Sequence, residues 1–70
     1  MLFTDVSSER AVNVYKKTGF WISKKRGKHI GMTNGMRRII IPRQRRLNPY
    51  TLKGIIRDAG LTDEKFKKLL

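Results

Sequence analysis

His29-Ile30-Gly31-Met32-Thr33-Asn34-Gly35-Met36-Arg37-Arg38-Ile39-Ile40-Ile41 places two β-type segments on either side of Asn34-Gly35. Asn-Gly between such segments is the strongest local signal for a two-residue type I′ hairpin. That turn sets a register in which Thr33 faces Met36, Gly31 faces Arg38, Ile30 faces Ile39 and His29 faces Ile40. Cross-strand partners share a face, so Ile30, Met32, Ile39 and Ile41 line one side, a candidate core. His29, Gly31, Thr33, Arg38 and Ile40 line the other. Pro42 ends the segment, because it has no N–H to donate to a ladder.

Before the hairpin, Phe20-Trp21-Ile22-Ser23-Lys24-Lys25 reads as a further strand, with Phe20 and Ile22 on one side and Arg26-Gly27-Lys28 as a basic turn. Ahead of it lies a helix from Ser7 or Ser8 to Thr18. Either serine can cap it, Glu9 suits its first turn, Lys16 and Lys17 its last, and Gly19 its stop. Ala11, Val12 and Tyr15 share its apolar face, with Val14 off it. After the basic loop Arg43–Leu47, Asn48 caps a second helix with Pro49 in its first position. Leu52, Ile55, Ile56 and Ala59 form its stripe, and Gly60 stops it. Thr62 caps a short third helix, from which Phe66, Leu69 and Leu70 can fold back on the core. The order α-β-β-β-α, with a small terminal helix, predicts an α+β fold. Three antiparallel strands carry both main helices on one face, as one domain over residues 1–70.

The chain has 70 residues, no cysteine and one histidine, and a formal net charge of +12. Its length excludes a large enzyme with a cleft between domains. Without cysteine there is no disulfide framework, zinc ribbon or thiol nucleophile. One histidine and scattered acids argue against an all-protein metal site. No apolar run approaches a signal peptide or a membrane span, so a cytoplasmic protein without membrane contact is expected. From Arg10 to Arg57 there are fourteen Lys or Arg and no Asp or Glu. A surface so one-sided points to a polyanion, above all nucleic acid, or to an acidic protein partner.

No nucleophile elbow or glycine-rich phosphate loop is present. Imidazole is the side chain whose ordinary pKa lies nearest neutrality, and His29 is the only one. RNA carries a proton such a base can take, on the 2′-OH. Attack of that oxygen on the adjacent phosphate cleaves the strand with no cofactor and no metal. Lys24, Lys25, Arg26, Lys28, Arg38, Arg43, Arg45 and Arg46 are candidates, by charge, to position RNA phosphates. The leaving-group proton is left to Lys28, Tyr50, water or His29 itself. Trp21 points away from Phe20 and Ile22, and either stacks on a base or meets a loop or partner protein.

Gly19-Phe20, Gly27-Lys28-His29, Pro42-Arg43 and Thr51-Leu52-Lys53-Gly54-Ile55-Ile56-Arg57-Asp58-Ala59-Gly60-Leu61 occur in that order and spacing. Together they resemble the HicA-type toxins of bacterial and archaeal toxin–antitoxin pairs, over about Ser7 to Leu70. The resemblance implies a double-stranded-RNA-binding-domain-like fold and an mRNA interferase activity without cofactor. It also implies neutralisation by a HicB-type antitoxin, and a catalytic histidine at His29. Lys28 stands where that family usually has Ser, Gln44 where a His often follows Pro-Arg, and Tyr50 where Gly often precedes Thr-Leu. The free toxin is expected to be a monomer. The rival reading is a non-catalytic RNA- or ribosome-binding module of the same fold.

Overall fold

The computed structural model describes residues 2–70. Helix α1 (Ser8–Lys17) leads into strands β1 (Trp21–Arg26), β2 (His29–Thr33) and β3 (Arg38–Pro42), followed by α2 (Pro49–Asp58) and α3 (Asp63–Leu69). The strands form one antiparallel sheet in the order β1-β2-β3. The expected α+β order is therefore observed.

Each helix start is made by the residue the sequence offers for it. Ser7, Asn48 and Thr62 accept from backbone N–H groups of the first turns of α1, α2 and α3, satisfying donors that have no intrahelical partner. The ends of α1 and α2 are alike. Gly19 and Gly60 take φ of 95° and 76°, conformations that a Cβ disfavours. Beyond them Phe20 N–H donates to Tyr15 O and Leu61 N–H to Ile56 O, each at 3.0 Å, closing Schellman motifs. The Phe20 ring then packs edge-on against Tyr15, 5.9 Å between centroids.

Ile30, Met32, Ile39 and Ile41 are buried beneath the helices together with Leu52, Ile55, Ile56 and Ala59. Val14, expected off the apolar face of α1, is buried as well. The reason is that α1 packs against both β3 and α3, which widens its buried face. Leu47, read as part of a basic loop, is also buried; its N–H donates to Val6 O, tying the amino-terminal segment to the loop before α2. Phe66 is fully buried between Phe3 and Tyr15, and Leu69 packs against the core, while Leu70 stays exposed.

The turn between β2 and β3 differs from the expected one. Type I′ needs positive φ at both central residues. Gly35 has it, at 92°, but no non-glycine residue does among the described residues. Asn34 instead uses its side-chain oxygen to accept from the N–H groups of Met36 and Arg37, an Asx-type turn. Thr33 Oγ1 donates to Arg37 O at 2.7 Å, and the loop spans residues 34–37. The ladder therefore pairs Thr33 with Arg38, Met32 with Ile39, Gly31 with Ile40, Ile30 with Ile41 and His29 with Pro42. This is a two-residue shift from the expected register. Because sheet faces alternate with period two, every residue keeps its expected face.

The hydroxyl of Tyr15 is buried without a hydrogen-bond partner. Its pKa is pushed well above the usual phenol range, first by burial and then by the charge of Asp58. Tyr15→Phe is expected to stabilise the fold by about 1 kcal/mol, because it removes a buried, unpaired polar group. The pH dependence follows. The unfolded phenol ionises near pH ~10 and the folded one only above that, so its stability contribution is complete below pH ~10 and is lost as pH rises further. Melting curves over alkaline pH should thus fall less steeply for Tyr15→Phe than for the parent.

Candidate functional site

The side of the sheet away from the helices is arranged in three cross-strand rows. Arg26, His29 and Pro42 form the first, Lys24, Gly31 and Ile40 the second, and Trp21, Thr33 and Arg38 the third. A β-bulge at Ser23 creates this arrangement. Ile22 pairs with Met32 on the core side, yet Lys24 pairs with Gly31 on the free side. The extra residue reverses the alternation of β1. Lys24 and Arg26 are thereby turned to the same face as His29, and Lys25, opposite Ile30, to the other.

An open cleft of about 340 Å³ lies on this face, lined by Ser23, Lys24, Arg26, His29, Gly31, Arg38 and Ile40. Three of the lining residues are cations and none is an acid. His29 is exposed, and among the described residues its ring makes no hydrogen bond, so both nitrogens are open to a ligand. Gly31 forms the floor. A Cβ there would meet Lys24 Cβ and Ser23 Oγ at 3.6 Å, ordinary contact, so a larger side chain would fill the cleft without straining the backbone.

The turn carrying Lys28 is held by Arg43, the residue after β3. Arg43 N–H donates to Lys28 O at 2.8 Å, and the Arg43 guanidinium donates to Gly27 O at 3.3 Å. The Gly27-Lys28-His29 and Pro42-Arg43 motifs are thus one unit in space, in which Arg43 fixes the turn that presents His29.

Of the cations expected to position RNA, the structure gathers Lys24, Arg26 and Arg38 around His29, with Lys28 next to it in the turn. Lys25 and Arg43 line a separate hollow beside α1. Arg45 lies in a shallow groove near Ser7 and Ser8, and Arg46 faces Asp5 at 3.6 Å, both highly exposed. Such an exposed pair contributes little to stability. Tyr50, 72% exposed on α2, does not line the cleft. Ser23 and Gly31 were not among the expected site residues, yet alternation turns Ser23 to the Trp21 side and Gly31 to the His29 face; the bulge, which has no signal in the sequence, is what adds Lys24 and Arg26. Ile40 had a signal, since period two must turn the middle of Ile39-Ile40-Ile41 outward.

The fold and the site define a small basic α+β domain that displays one imidazole among cations on an uncovered sheet. Residues 8–61 match the family described as HicA toxin of bacterial toxin–antitoxin, well over half of the chain. The chain belongs to the HicA toxin family, and is accordingly the toxin side of a toxin–antitoxin pair, with an antitoxin as partner. No curated protein matches it at a significant level. Among the described residues no helix is long and apolar enough to cross a membrane, and no cluster of three or more His, Asp or Glu is placed to share a metal ion.

Proposed function

We propose that this toxin is an endoribonuclease that cuts mRNA in the cytoplasm, with His29 as its acid–base residue. The observation that carries the reading is the sole imidazole standing exposed in a cleft lined by Lys24, Arg26 and Arg38 and by no acid. In the step, neutral His29 takes the 2′-OH proton, the 2′-oxygen bonds to the adjacent phosphorus, and the bond from phosphorus to the 5′-oxygen breaks. The leaving oxygen takes a proton from Lys28, water or the imidazolium. Lys24, Arg26 and Arg38 hold the phosphate and balance the charge that builds on it, from strand positions that bring all three to the cleft. The nucleophile is the RNA's own hydroxyl, so the step requires no cofactor. Arg43 acts through the turn it holds, and Lys25, Arg45 and Arg46 extend the basic surface along which RNA is attracted.

Induced expression of the chain should arrest growth, and co-expression of the antitoxin, of HicB type, should restore it. A non-catalytic binding module would give neither result. Purified, the chain should bind single-stranded RNA with affinity that falls steeply with salt. For about five phosphate contacts, log K against log salt should have a slope near −3.5. A salt-independent affinity would assign the basic face to a protein partner. The antitoxin should compete with RNA for the cleft, and a stable ternary complex with RNA still in it would contradict that competition.

A further inference from the structure

Resting on the RNA reading above, we infer that the free sheet face is a track for single-stranded RNA and that Trp21 is its base-stacking platform, a few nucleotides from the bond cut at His29. Trp21 is the only tryptophan and is 53% exposed. It is not a core residue that happens to reach the surface: it shares its row with Thr33 and Arg38 on the face that carries His29. A Cβ at Gly35 would lie 3.7 Å from the indole Cη2, so one edge of the ring lies beside the 34–37 loop, at a position where glycine leaves it room.

The layout along the sheet fits a strand of RNA. Thr33 lies four residues beyond His29 on β2, about 13 Å at the rise of a β-strand. That is about four nucleotides at a stacked spacing of ~3.4 Å, and fewer in an extended strand. Between the two ends lie Lys24 as a phosphate partner, Gly31 as a floor without a side chain, and Ile40, 58% exposed, as an apolar surface, while Arg38 stands in the Trp21 row as a second phosphate partner. The occupant is chosen by charge: an aromatic and an aliphatic side chain among cations, with no acid on the face, suits a polyanion with apolar planar bases. A duplex hides its bases in the stack and presents no free π-face to Trp21, so the track discriminates for unpaired RNA.

The test uses the full chain with His29→Ala, to hold RNA uncut, and a 10-nucleotide single-stranded RNA. Binding should quench the emission of the single indole. Trp21→Ala should weaken binding about tenfold, as expected for one lost base–aromatic stack, and Trp21→Phe should recover most of it. An RNA carrying one abasic site should lose the same factor against the parent and nothing further against Trp21→Ala, at one position within about four nucleotides of the cut bond. Unchanged emission at saturating RNA, with Trp21→Ala binding as tightly as its parent, overturns the inference. So does a Trp21→Ala variant that keeps RNA affinity but loses the antitoxin, which gives the indole to the protein partner. If the His29-bearing chain cuts RNA while Trp21→Ala changes nothing, only this inference fails; if it neither cuts nor binds RNA, the RNA reading fails with it.

Discussion

His29→Ala is expected to slow RNA cleavage by about 10²–10⁴, the usual cost of removing one general acid–base group. Growth arrest on induction should disappear with it. The side chain is exposed and makes no hydrogen bond within the described residues, so trimming it should change stability by no more than about 0.5 kcal/mol. RNA affinity should largely persist, because Lys24, Arg26, Arg38 and the surrounding cations supply most of it. The antitoxin should still bind unless one of its groups is aimed at the imidazole. Matching melting curves alongside unequal cleavage rates are the required readout. A variant that melts early would instead assign His29 a structural role.

Phe66→Ala should have the largest effect on folding. Phe66 is fully buried, with ring centroids 5.1 Å from Phe3 and 5.7 Å from Tyr15. It is the only residue of α3 that is fully enclosed, and that helix has just seven residues. A helix so short does not persist without tertiary anchoring. Removing the ring should cost about 3–5 kcal/mol. A domain of this size has a total stability of only about 4–10 kcal/mol, so much of it would be lost. The urea midpoint should drop accordingly, and Phe66→Leu should retain most of the parent's stability. Phe66 lies outside the matched family region, which ends at residue 61. A loss under about 1 kcal/mol would show that α3 is not part of the core.

Most of the fold can be read from local chemistry in the chain. Ser7, Asn48 and Thr62 cap helices because their side chains accept from backbone donors a few residues on, a purely local relation. Gly19 and Gly60 stop helices for an equally local reason, the left-handed backbone that follows. The face of each hairpin residue survived a wrong turn type, because only the parity of the register matters to it. Asn34-Gly35 does not fix the turn type, because Asn34 can satisfy the loop with its side chain as well as by positive φ. The burial of Leu47 depends on a contact with the distant amino-terminal segment, which spacing within a basic loop does not reveal.

The site was legible in its centre and not in its surroundings. His29 stands out as the only imidazole, and its outward face follows from alternation. Which cations join it does not follow from charge. Lys24, Lys25 and Arg26 are consecutive and equivalent in composition, and a bulge at Ser23 alone sends the first and third to the cleft and the second away. Arg43 illustrates the same limit: its charge suggests phosphate, while its hydrogen bonds go to the backbone of the turn before His29.

The most direct test of RNA cleavage through the 2′-OH is to identify the ends left on a short RNA cut by the purified chain in the presence of a chelator. The expected products carry a 2′,3′-cyclic phosphate and a 5′-hydroxyl. They should be absent when the 2′-OH at the cut nucleotide is replaced by hydrogen, and scarce when His29→Ala is used. Fragments ending in 3′-hydroxyl and 5′-phosphate, or equal cutting by a folded His29→Ala chain, would contradict the account.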